Sequence, residues 1–447
     1  MSVLMKFGGT SVADAAAFQN VARIVASERD AAPVVVVSAM SGVTDALLAA
    51  KNIASLQEVF ERHRSVSREL LDDNKAFVER LSSAEQDIAV LLEGLGNRKR
   101  LQDAVVSFGE ILSSALLAEV LNQRGIAARQ VDARRCIITD EEHMSAAPLL
   151  AETFANSKNE LLPVIESGVV PVLGGFIGAT ARGVTTTLGR GGSDYTAALL
   201  GAALGASEIQ IWTDVTGVLT ADPRVVPDAQ TIERLSYGEA AELAYFGAKV
   251  LHPKTIQPAI ESSIPVRICN SRAPQQAGTL VGPQSDTSPR TVKAIAHKNG
   301  VTTVQITSLR MLGAYGFLRA LFEVFDRHRT VVDVVTTSEV SVSLSLDDAS
   351  ALPAIVEELE RLGTVRVEKG RAIICVVGEG LRGTPGIAAR VFSTISDINV
   401  TLISQGASSI NFTFAIEEEL VREAVTRLHE EFFATKRHKS HKTEGMA

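Results

Sequence analysis

Two glycine-rich turns carry most of the residues in this chain that could do chemistry. In TTTLGRGGSDYTA (185–197), Gly189, Gly191 and Gly192 surround Arg190 and lead through Ser193 and Asp194 into a run of small residues. Bare glycine backbone lets N–H groups approach a ligand, and a following helix N-terminus adds partial positive charge, so the segment is a site for an anion. Arg190 can grip a carboxylate in a fork, while Asp194 at the loop–helix junction can hold an ammonium, including that of a lysine of the chain. In MKFGGTS, Lys6 closes the first apolar run and Gly8 and Gly9 follow. A lysine beyond the carboxyl end of a strand is a point charge aimed at phosphate. The plain alternatives are a tight turn in the first case and a surface lysine beside a turn in the second.

The elements that must position these residues follow a regular pattern. The apolar runs VLMKF (3–7), PVVVVSA (33–39), GVVPVLGGFIG, EIQIWTD and IPVRICN alternate with helical periodicities, from about Val12 to Glu28 and from about Val43 onward. Unbroken apolar strands between helices indicate a mostly parallel sheet covered by helices on both faces. Ser55 to Arg124 reads as helix after helix, and the run after Asp194 as a helix whose Ala197, Ala198, Gly201, Ala202 and Ala203 allow close packing.

A chain of 447 residues, 46% hydrophobic and 21% charged, has material for roughly three domains. Net charge −8 gives no overall basic field for nucleic acid or an anionic membrane. Cys136, Cys269 and Cys375 lie far apart without metal-ligand spacing and read as buried thiols of a reducing compartment; no signal peptide opens the sequence, and a cytoplasmic location is expected. The stretch APQQAGTLVGPQSDTSPR (273–290) marks a domain boundary. Beyond it, the segments beginning at Gly316 and Gly386 superpose without a gap at an offset of 70, Phe322 on Phe392 and Ser338 on Ser408. Each is a glycine, an amphipathic helix and a strand, so two small α+β modules follow the larger domain, a pairing that suits regulation. GEGLRG (378–383) meets the spacing of a dinucleotide-binding loop, but Pro385 delays the helix past the third glycine and no acid ends the next strand, so a nucleotide is not expected there.

KFGGTSV, VSFGE (106–110), TTTLGRGGSDYTA, WTDVTGVLTADPR and FGAKVLHP resemble, in order, the signature segments of the aspartokinase family. MLGAYGFL, VDVVTTSEVSVSL and QGASSINFTF resemble the paired ACT modules of its lysine-sensitive monofunctional members. The resemblance implies an amino acid kinase domain over residues 1–285 and a first ACT module over 308–369 inserted into a second made of 293–307 and 370–432; it leaves out the tail, 433–447, whose basic and polar composition reads as disordered. It implies phosphoryl transfer from ATP to the β-carboxylate of L-aspartate, giving 4-phospho-L-aspartate, which enters aspartate-family amino acid biosynthesis. A carboxylate acceptor is already ionised at neutral pH, so no general base is needed and catalysis consists of alignment and charge neutralisation.

By the same resemblance Lys6, with the N–H groups of Gly8 and Gly9, neutralises the transferring phosphoryl group, and Asp194 orients Lys6. Arg190 takes the α-carboxylate of aspartate and Glu110 its α-amino group, with Ser38, Thr44, Gly191, Gly192 and Ser193 nearby. Phe7, Thr213, Asp214, Leu219, Arg224, Lys249 and Val250 fall to the nucleotide, and Mg2+ is held mainly by its phosphates, with no protein metal site. Lysine is the implied effector, bound at the first module by Met311, Phe317, Leu318, Val332, Asp333, Ser338 and Glu339, in a homodimer or a dimer of dimers. Asp333 falls opposite Ile403 in the repeat, so only one copy offers a carboxylate there; the alternative is that it pairs with Arg327 or Arg329. The chain departs from its relatives at Leu219, where tyrosine is frequent, and at Gly313, Ala314 and Val331, where polar residues are common. Rival readings are another amino acid kinase of the glutamate type and a non-catalytic amino-acid sensor.

Overall fold

The computed structural model describes residues 2–94, 97–247, 251, 253–283 and 291–434. The chain packs as two units, Met1–Val218 with Glu233–Tyr237 and Val250–Ser285, and Leu219–Ile232 with Gly238–Lys249 and Asp286–Ala447. Two segments expected within the first domain therefore belong to the second unit. The reason is visible in their partners: Thr220 accepts a backbone hydrogen bond from Ile295 and meets His429 at 2.9 Å, and Ala221 and Val226 enter that unit's core.

The first unit has strands β1 (Val3–Phe7), β2 (Val34–Val37), β3 (Ala128–Gln130), β4 (Ile138–Thr139), β5 (Val170–Gly174), β6 (Ile177–Thr180), β7 (Thr185–Thr187), β8 (Glu208–Thr213), β9 (Arg234–Ser236), β10 (Val266–Asn270) and β11 (Thr279–Gly282). Eight of them form one sheet in the order β3-β5-β2-β1-β8-β10-β11-β9, and β4-β6-β7 form a small second sheet. All pairs in the large sheet are parallel except β10 with β11. β1 and β2 are buried along their whole length, as strands covered on both faces must be. The run GVVPVLGGFIG splits into β5 and β6 because Gly174 and Gly175 pass against Glu110 and Ser193, and Phe176 takes a left-handed φ of 67°.

Helices α1 (Ala15–Ser27), α2 (Val43–Ala49), α3 (Gln57–Leu70), α4 (Lys75–Glu93), α5 (Arg98–Gln123), α6 (Leu150–Glu166) and α7 (Gly192–Leu204) belong to this unit. The first expected helix is preceded by a 3-10 turn, Gly9–Val12, and begins only where Asp14 caps it through Ala17 N–H. α5 is long and apolar enough to cross a membrane, yet most of its surface is buried inside the protein. Its apolar side chains join the core formed with β1, β2 and α1. The small residues of α7 permit the expected close approach: a Cβ at Gly201 would stand 2.6 Å from Ile209.

Helix α8 (Tyr237–Tyr245) spans the passage from the first unit to the second, and α9 (Gln257–Glu261) lies in the first. The second unit then contains β12 (Ala294–Thr307), α10 (Phe317–Arg327), β13 (Val335–Thr337), β14 (Ser341–Leu346), α11 (Leu352–Leu359), β15 (Thr364–Val377), α12 (Ile387–Thr394), β16 (Leu402–Gln405), β17 (Asn411–Glu417) and α13 (Val421–Phe433). Its six strands make a single sheet, β13-β14-β12-β15-β17-β16. The repeat is real at its helix starts, since Gly316 and Gly386 are both left-handed N-caps, at φ 82° and 84°. One expectation fails. Residues 293–307 do not belong wholly to the second module, because β12 is shared: Ala294–Lys298 pair with Ile373–Val377, whereas Val304 and Ile306 lie in the first module's core. Phe433, assigned to the tail, is buried at the end of α13, and the rest of the tail beyond Ala434 lies outside the described residues.

Candidate functional site

Beyond the carboxyl ends of β1, β2 and β5 lies a cavity of about 520 Å3 lined by Lys6, Ser38, Thr44, Glu110, Arg190, Gly191, Gly192, Ser193 and Asp194, with Asp45, Leu48, Met144, Phe176 and Gly189. Every residue that the sequence reading gave to catalysis or to aspartate therefore meets in one cleft. Lys6 Nζ stands 2.7 Å from Asp194 Oδ1, both side chains largely buried. The pair joins the end of β1 to the first turn of α7, so the ammonium is held where β1 and that helix converge. Left-handed φ angles of 73° at Gly189 and 76° at Gly191 shape the loop between β7 and α7, and a Cβ at Gly191 would fall 2.7 Å from Thr255. Arg190 is exposed on this loop.

Glu110 is the most perturbed group of the cleft. Helix α5 buries it to 2% exposure; Oε1 accepts the Ala39 N–H at 3.2 Å and Oε2 has no hydrogen-bond partner. Burial pushes its carboxyl from 4.5 up to about 8, against the smaller opposing effect of the Ala39 hydrogen bond. A buried carboxyl with one orphaned oxygen is a socket for a cation. Ser38 Oγ donates to Ser193 Oγ at 3.0 Å and ties the loop after β2 to the start of α7.

Four residues that the sequence reading did not single out organise the cleft wall. Asp103 is wholly buried on α5 and accepts from the Met144 N–H (3.1 Å) and from Thr187 Oγ1 (2.6 Å), with His143 Nδ1 at 2.6 Å. It thereby fastens α5, the loop before α6 and the end of β7 to one another, and holds Met144 at a left-handed φ of 73° with its carbonyl against Gly189. Burial raises the Asp103 carboxyl, and its hydrogen bonds to Thr187, His143 and Met144 pull the other way. The available signal was spacing: Asp103 and Glu110 lie two turns apart on one face of a helix.

The nucleotide candidates are more dispersed. Gly8 donates its N–H to Trp212 O at 3.1 Å, so that group is not free for phosphate as expected; Gly9 approaches the Ala39 carbonyl, where a Cβ would stand at 2.9 Å. The Phe7 side chain is fully buried and stacks on Trp212 at 5.9 Å, which leaves only its backbone to face a ligand. Thr213 and Asp214 lie at the end of β8, the strand paired with β1. Leu219 and Arg224 belong to the second unit, where Asp222 holds the Arg224 guanidinium. Lys249 and Val250 lie outside the described residues. Among the described residues no group of three His, Cys, Asp or Glu side chains could hold a metal ion. Cys136, Cys269 and Cys375 are buried free thiols, each pushed up to about 12 mainly by burial.

In the second unit, Met311, Phe317 and Val332 pack partly buried against the first module's core, Leu318 is 42% exposed, and Ser338 and Glu339 are exposed between β13 and β14. The Asp333 side chain is 2% exposed. Its nearest cation is Lys298 at 4.0 Å, and not Arg327, which bonds Glu358. Burial, with the neighbouring Asp347 carboxylate, pushes Asp333 up to about 7.

Comparison with known proteins places this geometry. The model of the amino acid kinase family matches residues 1–270 and that of an ACT domain residues 374–432. The chain is 41% identical over 464 residues to aspartokinase 3, chloroplastic, of Arabidopsis thaliana, covering 97% of this chain and 82% of that one. It is 39% identical over 447 residues to the lysine-sensitive aspartokinase 3 of Escherichia coli (strain K12), covering 96% and 99%. A crystal structure of E. coli aspartokinase III in complex with aspartate and ADP superposes with a TM-score of 0.82 at 38% identity, covering 97% of this chain and all of that one.

Proposed function

The chain belongs to the aspartokinases of the amino acid kinase family, and from that premise we propose how its residues perform ATP-dependent phosphorylation of L-aspartate. The observation that carries the reading is the cleft itself, in which the Lys6–Asp194 pair, the Arg190 guanidinium and the buried, half-satisfied Glu110 share one cavity. Arg190 takes the α-carboxylate of aspartate, and Glu110 Oε2 takes its α-ammonium, which restores the charge that burial denies this carboxyl. Those two contacts aim the β-carboxylate at Lys6. One of its oxygens forms the new bond to the γ-phosphorus, the bond to the β,γ-bridging oxygen breaks, and ADP leaves without any proton transfer.

Lys6 neutralises the phosphoryl oxygens in flight, and Asp194 keeps its ammonium in place. The Gly9 N–H and the N-terminus of α7 add donors on the same side. Thr213 and Asp214, at the end of β8, serve the nucleotide. With Asp194 committed to Lys6, Mg2+ would be held mainly through the nucleotide phosphates, where it would lower their repulsion toward the aspartate carboxylate. A hydroxylamine trap of the acyl phosphate tests the substrate: hydroxamate is expected with aspartate, and hydroxamate with glutamate alone overturns the reading.

Lysine is the effector of this reading. Asp333 is a buried acid whose only nearby cation among the described residues, Lys298, is shared with Asp347, so an amino acid with a second ammonium relieves an unmet charge. Met311, Phe317, Leu318 and Val332 supply the apolar wall, and Ser338 and Glu339 the polar edge. The wholly exposed Tyr315, with Leu309, Leu312 and Val331, gives the first module an apolar surface that a second copy would cover. A homodimer or a dimer of dimers is the assembly proposed from it, and the cytoplasm is the location proposed for the enzyme.

A further inference from the structure

Arg62 does not line the cleft, yet its guanidinium reaches both of the loops that flank it. From α3 its Nη1 donates to Ser41 O at 2.7 Å and its Nη2 to Ala13 O at 2.5 Å. Ser41 lies in the loop after β2 that carries Ser38 and Thr44, and Ala13 ends the 3-10 turn that begins at Gly9. The loops also meet directly, through Ser41 N–H to Gly9 O at 3.2 Å. On its other side the turn is fixed to the sheet, where Ser11 Oγ donates to Ser271 Oγ at 2.8 Å and Gly8 N–H to Trp212 O at 3.1 Å. The loop after β2 is less constrained, since it turns at Gly42 with a left-handed φ of 78° and enters α2 without a side-chain cap. Helix α3 is a firm seat for the arginine: Phe60 and Val66 are buried in one core with Val12, Met40 and Val43, and Arg64 ties the helix to Glu85 of α4 at 2.6 Å.

We propose that Arg62 is a positioning residue for phosphoryl transfer, a strap that fixes the spacing between the turn on the ATP side of the cleft and the loop on its aspartate side. The proposal rests on the reading of the cleft as the site of aspartate phosphorylation. A guanidinium presents its donors in a rigid fork, so two carbonyls bonded to it are held at one separation, which an ammonium on a flexible stem does not impose. Both bonds are charge-assisted, and among the described residues Arg62 makes no ion pair, so no carboxylate competes for the fork. Cutting the strap leaves each loop its own contacts with its own substrate. What is lost is the alignment of the β-carboxylate with the γ-phosphorus, and a misplacement of about 1 Å costs about 10²-fold in rate.

The test compares wild type, Arg62→Ala and Arg68→Ala by trapping the acyl phosphate with hydroxylamine. Arg62→Ala should lower kcat about 30- to 100-fold and leave KM for aspartate and for ATP within about threefold of wild type. Calorimetry should still find close to one aspartate site per chain, which a partly unfolded preparation would not show. Guanidinium at about 20 mM, far too dilute to unfold a domain, should raise the residual turnover at least about fivefold, and ammonium at the same concentration should not. Arg68→Ala, which removes an exposed pair with Glu61 on the same helix, should match wild type. A wild type that forms no aspartyl hydroxamate overturns the reading of the activity, and this role with it. With an active wild type, the strap alone is overturned by a kcat of Arg62→Ala within about twofold of wild type, by a fall in kcat matched by a loss of aspartate sites or by a rise in either KM, or by equal responses to the two cations. Should Arg62→Ala fail to fold, Arg62→Met, which keeps the stem and loses the fork, decides by the same split between kcat and KM.

Discussion

Replacing Glu110 with glutamine should stabilise the empty protein and cripple its use of aspartate. The carboxyl sits at about 8 in the folded state against an ordinary 4.5. Between those pH values the folded protein holds a proton that the unfolded chain has released, so stability falls as pH rises through the window. At about 1.4 kcal/mol per pH unit, burying Glu110 costs up to ~5 kcal/mol above pH 8, about 3 kcal/mol at pH 7 and about 1 kcal/mol at pH 5. The glutamine amide retains an acceptor for the Ala39 N–H and carries no charge to desolvate. Glu110→Gln should therefore gain about 2–3 kcal/mol at pH 7 and little at pH 5, read by urea unfolding through Trp212, the single tryptophan. Binding supplies the second half of the argument. An ammonium on Oε2 favours the ionised form, so aspartate binding at pH 7 should release nearly one proton from the wild type, seen by calorimetry in buffers of different ionisation enthalpy. The Glu110→Gln variant should release none and raise KM for aspartate at least about 100-fold. A stability gain that is flat from pH 5 to pH 8, together with no proton release by the wild type, would show that Glu110 is neither buried neutral nor paired with the substrate.

Lys6→Ala should lower kcat by about 10³ with a smaller change in KM for aspartate, whereas Arg190→Ala should mainly raise KM for aspartate; near-normal turnover without Lys6 refutes the mechanism. Asp103→Asn, which replaces one of two accepting oxygens with an amide N–H, should raise KM for aspartate about tenfold and leave KM for ATP unchanged, while equal rises in both would mean general loosening and no positioning role. Asp333→Ala should abolish lysine inhibition without altering uninhibited kcat, and a variant inhibited at the same lysine concentration as wild type removes Asp333 from the effector site.

What the sequence made legible was local. Gly189, Gly191 and Gly192 could be read as a ligand loop because their left-handed or crowded positions tolerate no other residue, and that requirement is written in composition. Alternation of strand and helix gave the parallel sheet because each period is set by adjacent residues. The shared strands of the second unit were less legible for an equally local reason. Asn299 and Gly300 bulge within β12, where the register shifts between Lys298 and Val301 and the Gly300 N–H donates to Glu418 at 2.9 Å. One strand could then serve two modules, which no boundary drawn between modules can express.

Long-range satisfaction was the part that no window of sequence contains. Asp103 meets His143 and Thr187 across 40 and 84 positions, and by type alone an aspartate on a helix is a solvated residue. Likewise a glutamate two turns further along α5 looks like a surface acid until Gly174 brings β5 so near that an added Cβ would stand 3.0 Å from the Glu110 backbone. The glycine that admits the strand is thus what buries the acid. Burial raises its proton affinity, and raised proton affinity is what makes an arriving ammonium worth more here than at the surface. Gly174→Ala should therefore act on aspartate binding, by pushing β5 away from α5 and returning Glu110 toward water and toward its ordinary carboxylate range, although the glycine itself touches no substrate. A higher KM for aspartate with an unchanged KM for ATP is the expected result, and a Gly174→Ala enzyme with normal KM for aspartate would break the link between the strand's approach and the acid's affinity for the ammonium.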